Sequence, residues 1–151
     1  MKLKDYVLIA ALIVADQLTK LYISSSMSYH QSIQVIEDFF HITYTHNIGA
    51  AFSLLEGQKW FFVLTAFVAC VGIVSYINKS KDVTKLSKFA LVLIMGGAIG
   101  NMIDRVVYGY VIDFLDFYIF GYDFPVFNFA DCCITIGTGL LLLSLIFEKE
   151  K

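Results

Sequence analysis

Four stretches of this chain are long and apolar enough to cross a bilayer: about Tyr6 to Ile23, Trp60 to Ile77, Phe89 to Val107 and Val126 to Phe147. Crossing the hydrocarbon takes roughly 20 mostly apolar residues in a helix. Inside it every backbone N–H and C=O must be bonded within the protein, which leaves only helices and closed barrels. Continuous apolar runs, rather than alternating ones, select helices. The sequence therefore predicts a membrane all-α core of four transmembrane helices forming one domain over residues 1–151, and a 58% hydrophobic content excludes an ordinary water-soluble fold.

Lysine placement orients the spans. Lys2 and Lys4 precede the first, Lys79, Lys81, Lys85 and Lys88 lie between the second and third, and Lys149 and Lys151 follow the fourth. Basic residues collect on the cytoplasmic side, so both termini are expected there, with segments 24–59 and 108–125 outside. Residues 1–26 imitate a cleavable leader, but Asp16 and Lys20 would be out of place in a disposable apolar run. A net charge of −2 suggests no nucleic-acid partner. Cys70, Cys132 and Cys133 fall within spans, without metal-like or disulfide spacing, and read as small hydrophobes.

Outside the membrane, Ser32 to Glu37 and His41 to His46 show the β-branched alternation of strands, so a small β-rich segment is expected on the outer surface. Ser53 to Gly57 suits a short interfacial helix ended by its glycine. His30, His41 and His46 read as surface histidines, because no carboxylate or cysteine pattern accompanies them to make a metal site. From Tyr108 to Pro125 the chain reads as an aromatic-rich loop in the membrane interface. Gly96 and Gly100 form a small-x-x-x-small pair for close helix packing.

Polar residues in an apolar chain mark a site. Asp16 and Lys20 are four apart and share a helix face, as a structural ion pair or as part of the site. Asn101, Asp104 and Arg105 fall on one face of span three, and Asn128 and Asp131 on one face of span four. Each group lies toward the outer end of its span. A channel or ion relay would spread its charges through the membrane, whereas these converge at one depth in a one-sided pocket. The stock is aspartates, asparagines and one arginine, with no serine–histidine or cysteine–histidine arrangement in the spans. Two adjacent carboxyls that share a proton can activate water and hydrogen-bond a carbonyl, the aspartic-protease solution to peptide hydrolysis. Four acids against two bases leave at least two acids for such a pair. A small proton- or cation-coupled transporter is the alternative, and an assembly factor using the aspartates only for packing is a third. The residues alone do not choose between Asp104 and Asp113.

Five segments carry a resemblance: Asp16-Gln-Leu-Thr-Lys20, Asn47-Ile-Gly-Ala-Ala-Phe52, Gly100-Asn-Met-Ile-Asp-Arg105, Val111-Ile-Asp-Phe114 and Phe127-Asn-Phe-Ala-Asp131. In this order and spacing, over nearly the whole chain, they resemble the lipoprotein signal peptidases (signal peptidase II). The resemblance implies a multi-pass aspartic endopeptidase of the bacterial cytoplasmic membrane, without cofactor, whose site faces the extracytoplasmic side. It further implies removal of the signal peptide from diacylglyceryl-modified prolipoproteins, just before the lipidated cysteine. Lipid and substrate are its expected partners, and a monomer its expected state. Carried over by motif, Asp113 and Asp131 are the catalytic pair, Asn47, Asn101, Arg105 and Asn128 line the substrate pocket, and Asp16, Lys20 and Asp104 are supports. Asp104 is then expected to tether Arg105 away from the pair.

Overall fold

A computed structural model describes residues 1–49, 55–80 and 82–148. The expected interfacial helix from Ser53 begins among residues 50–54, outside the described residues, as does part of the Asn47-to-Phe52 motif. The four apolar stretches are helices long enough to span a membrane: α1 (Leu3–Ser26), α2 (Lys59–Lys79), α3 (Lys85–Val107) and α4 (Phe129–Glu148). Four strands complete the fold, β1 (Ser32–Ile36), β2 (Phe40–Asn47), β3 (Val111–Ile119) and β4 (Tyr122–Asp123), in one antiparallel sheet of order β1-β2-β3-β4.

α3 is the central helix, packed on all three others, and α2 is the least buried. Glycines set the approach distances. Gly96 and Gly100 face Leu12 and Asp16 of α1, where an added Cβ would meet Leu12 Cδ1 at 2.8 Å and Asp16 Oδ2 at 2.5 Å. Gly97 turns to α4, where a Cβ would lie 2.3 Å from the Ala130 carbonyl oxygen. The small residues thus seat two helices against α3, one more than the Gly96–Gly100 spacing alone indicates.

One end of the bundle gathers both ends of the described chain and the α2–α3 connection. There the Met1 ammonium bonds Asn78 Oδ1, Asp5 pairs with Lys88 at 2.6 Å, and Ser144 of α4 meets Thr84 and Ser87 at 3.0 and 2.8 Å. The sheet caps the other end. Ile23 of α1 and Met27 just after it pack against Tyr44, Ile112 and Phe114 on one face of the sheet. The other face carries Thr45, Asn47 and Asp113 and looks onto the start of α4.

Two sequence expectations change. Residues 108–125 do not form a loop: β3 pairs with β2 along its length, and β3 turns into β4 through Phe120 (φ 51°) and Gly121 (φ 79°). That is the two-residue turn with both centres left-handed that matches strand twist. Span four begins at Phe129 instead of Val126 because Phe127 bridges to Leu115, its N–H and C=O both bonded to that residue at 3.0 and 2.7 Å.

Candidate active site

Asn128 and Asp131 are not simply two residues on one helix face. Asn128 Oδ1 accepts from the Asp131 N–H at 3.0 Å while Asp131 Oδ2 accepts from the Asn128 N–H at 3.2 Å. This reciprocal pattern is a capping box, which satisfies backbone donors left open at a helix start. It fixes Asp131 in the first turn of α4 and leaves the Asn128 amide nitrogen free to point outward. That nitrogen donates to Asp113 Oδ1 at 2.6 Å. One asparagine therefore holds both aspartates.

Asp113 reaches this point from β3. A bulge in the β2–β3 ladder between Ile42 and Thr45 puts Thr45 opposite Asp113 and Asn47 opposite Val111. Asn47 then donates from Nδ2 to Asp113 Oδ2 at 2.9 Å. On the far side, Asn101 of α3 donates to Asp131 Oδ1 at 2.7 Å. Among the described residues neither Asp113 nor Asp131 forms an ion pair. Burial first, and then the charge of Asp131, push the Asp113 carboxyl up from 3.8 to about 7, against the opposing donors Asn47 and Asn128. Near neutral pH one proton can therefore reside on this pair.

The other two acids are committed elsewhere. Lys20, 2% exposed, lies 2.9 Å from Asp16 and 3.0 Å from Asp104, and donates to Asn101 Oδ1 at 2.9 Å. All three ammonium protons have an acceptor. Gln17 adds donors to Asp104 Oδ1 at 2.9 Å, Asp16 Oδ2 at 3.2 Å and the Gly100 carbonyl at 3.3 Å. The expected tether between Asp104 and Arg105 is absent. Successive helical residues point about 100° apart, so Asp104 meets Lys20 of α1 whereas Arg105 faces the opposite flank. There it donates to the Gly49 carbonyl at 2.9 Å and lies over the Phe62 ring at 4.7 Å.

Asp113 and Asp131 share the wall of a cavity of about 630 Å³ between the sheet, the Phe124–Phe127 segment and the first turns of α4. Thr45, Asn47 and Glu56 add polar atoms, and Phe124, Val126 and Ile136 are among its apolar lining. Of the residues expected to line the pocket, Asn47 does so. Asn101 and Asn128 grip the aspartates from behind, and Arg105 braces the exit of β2.

Sequence reasoning assigned no role to Gln17, Thr45 or His46. Gln17 lies inside a quoted motif, at a position where an amide in a span already signals a bonding task. Nor is His46 an ordinary surface histidine: it borders the cavity, stacks at 4.3 and 3.7 Å on Tyr29 and Tyr110, and bonds Tyr44 Oη at 2.9 Å. Its pKa is lowered by burial and then by His30. Alternating aromatic and histidine residues from Tyr44 to His46 were the available signal.

Known proteins resemble this arrangement closely. The family described as signal peptidase (SPase) II matches residues 8–147. A lipoprotein signal peptidase of Symbiobacterium thermophilum is 46% identical over 96% of this chain and 95% of its own, and that of Bacillus subtilis 43% over 97% and 96%. A bacterial membrane enzyme solved by the in meso method superposes with a TM-score of 0.90 at 36% identity, over 97% of this chain and 89% of that one. With this match over nearly the full length, the chain belongs to the signal peptidase II family of membrane aspartic peptidases.

Proposed function

We propose that this chain acts as a single integral domain that removes the signal peptide from diacylglyceryl-modified prolipoproteins, cutting just before the lipidated cysteine. Asp113 and Asp131 are the catalytic pair, without cofactor. Asn47, Asn101, Arg105 and Asn128 shape the substrate pocket, and Asp16, Lys20 and Asp104 support it. The lysine-rich end, with both termini, faces the cytoplasm, the sheet and cavity face the extracytoplasmic side, and the enzyme works as a monomer among lipids. The relatives are lipoprotein signal peptidases, which favours this reading over a proton- or cation-coupled transporter.

The observation that carries the assignment is the bracket made by Asn128, which bonds Asp113 with its side chain and Asp131 with its backbone at one cavity wall. In the reaction, the ionised aspartate takes a proton from a water as its oxygen bonds the scissile carbonyl carbon. The protonated aspartate hydrogen-bonds the carbonyl oxygen as it becomes tetrahedral. Collapse breaks the C–N bond as the aspartate that took the water's proton passes it to the departing amine, which returns the pair to its singly protonated state. The apolar mouth suits a substrate whose lipid holds the bond near the membrane surface.

The test is turnover of a diacylglyceryl-modified lipopeptide by purified protein. Cleavage on the amino side of the lipidated cysteine, abolished in Asp113→Asn and Asp131→Asn and indifferent to chelators, is expected. Near-native turnover by either variant overturns the assignment of the pair.

A further inference from the structure

The buried Lys20 cluster reaches the aspartate pair by three separate arms. Asp16 Oδ1 accepts from the N–H of Ala130, the residue before Asp131, at 3.0 Å. Asp104 Oδ2 accepts from the N–H of Ile112, the residue before Asp113, at 3.1 Å. Asn101 Oδ1 accepts from Lys20 Nζ at 2.9 Å, which commits the Asn101 nitrogen to donate to Asp131 Oδ1 at 2.7 Å. Lys20, Asp16 and Asp104 are each no more than 2% exposed. Asp16 keeps Oδ2 on the ammonium at 2.9 Å and gives Oδ1 to the backbone, whereas Asp104 Oδ2 accepts from both the ammonium, at 3.0 Å, and the backbone N–H, with Oδ1 held by Gln17.

We infer that Lys20 is a positioning residue for the peptidase reaction, setting the separation and donor environment of Asp113 and Asp131 through Asp16, Asp104 and Asn101. This inference rests on the reading of Asp113 and Asp131 as the catalytic pair. The logic is one of shared anchorage. Asp113 sits on a strand and Asp131 on a helix, elements joined through Phe127, which bridges to Leu115, and through Asn128. A single ammonium, fixed on α1, ties the preceding peptide of each to a common point. It also decides the Asn101 amide orientation: with an oxygen facing Asp131 the contact would be repulsive, so the lysine selects the rotamer in which nitrogen faces it. Small displacements of reacting groups cost rate far more than binding. The cavity wall itself contains none of Lys20, Asp16 or Asp104, so substrate contacts are left intact when the cluster is disturbed.

The experiment compares Lys20→Met, Lys20→Arg, Asn101→Ala and the double variant Lys20→Met with Asn101→Ala, as purified full-length proteins on the lipopeptide. Asp113→Asn and Asp131→Asn run in parallel. For Lys20→Met, kcat is expected to fall about 100-fold, the scale of a misplaced reacting group, with KM changed less than about twofold. The double variant is expected to be little worse than the more damaged single one, since the Asn101 arm is one of the three that Lys20 holds. Lys20→Arg keeps the charge and folds as a control for lost stability, but its planar fork does not reproduce three divergent bonds, so it is expected to keep the fold and lose rate. Folding of every variant is read from its thermal unfolding in detergent. A folded Lys20→Met or Lys20→Arg with near-native kcat overturns the inference, as does a rise in KM at constant kcat, or full additivity with Asn101→Ala. Should Asp113→Asn and Asp131→Asn remain active, the reading of the pair fails instead, and the two failures are told apart by which rows of variants keep turnover.

Discussion

Replacing Asp113 by asparagine should stabilise the protein at alkaline pH more than at acid pH. Its carboxyl, 1% exposed, titrates at about 7 instead of 3.8, with burial the larger cause and Asp131 the second. A raised carboxyl pKa means that the folded chain binds a proton the unfolded chain has released. Stability contributed by this group therefore declines as pH rises from about 4 to about 7 and is level above that. The gap of about 3 units corresponds to about 4 kcal/mol against folding at pH 8, but only about 2 kcal/mol at pH 5. An asparagine has no charge to desolvate, though it can satisfy only one of the amide donors of Asn47 and Asn128 with its single oxygen, a loss of about 1–3 kcal/mol that does not vary with pH. The pH-dependent part is thus the signal: relative to the native chain, the variant should gain about 2–3 kcal/mol between pH 5 and pH 8, or roughly 5–10 °C in unfolding midpoint. Thermal unfolding in detergent across that range measures it. A stability difference that is constant with pH refutes the reasoning, because it would mean that Asp113 carries no extra proton in the folded state.

Asp104→Asn should lose stability, by about 3–5 kcal/mol as for a broken buried pair, together with activity, since it removes a Lys20 partner at 3.0 Å; a variant as stable as the native chain contradicts the pairing. Gly97→Ala should cost about 1–3 kcal/mol by overpacking, because its Cβ would lie 2.3 Å from the Ala130 oxygen, whereas Gly139→Ala, with nothing within 4 Å, should be neutral or slightly stabilising. Equal unfolding midpoints for the two would show that the α3–α4 contact is looser than described. Cysteines at Ser32 and Tyr122, in a background lacking the native three, should react with an impermeant thiol reagent in intact cells. Reaction of a cysteine at Ser80 in their place inverts the proposed orientation.

The spans were legible because an uninterrupted apolar run has few alternative structures. The strand at residues 111–119 was not, although Val111 to Ile119 is rich in β-branched and aromatic residues. Its many Phe and Tyr residues read equally as a loop lying in the membrane interface, and pairing with β2 is what supplies the surroundings of its aspartates: Asn47 for Asp113, and Thr43, at 2.5 Å, for Asp116. Likewise Asn128-Phe-Ala-Asp131 spells a capping box in sequence, but apolar Val126 and Phe127 just before it make the span read as starting at Val126. What ends the helix is the backbone bridge of Phe127 to Leu115, a contact twelve residues apart in sequence. Asn101, Asp104 and Arg105 share one broad face of α3, but the 100° between Asp104 and Arg105 sends the first to Lys20 of α1 and the second to Phe62 of α2 and the Gly49 carbonyl beyond β2.

The division of the four acids follows from charge and burial. A single buried ammonium can hold two carboxylates with all three protons used, and here it holds Asp16 and Asp104. A carboxylate in such a pair cannot change its charge without leaving the ammonium under-paired in a low dielectric, so neither suits a reaction in which protons come and go. Asp113 and Asp131 are held by the neutral donors of Asn47, Asn101 and Asn128 instead. Neutral amides favour a carboxylate but do not require one, and the same nitrogen contact survives when a proton arrives on the other oxygen. Arg105 is occupied by the Gly49 carbonyl and the Phe62 ring, and among the described residues no cation forms an ion pair with Asp113 or Asp131. The same sorting that holds Asp16 and Asp104 on an ammonium leaves Asp113 and Asp131 as the two acids whose contacts tolerate a change of protonation, which fits the catalytic roles proposed for them.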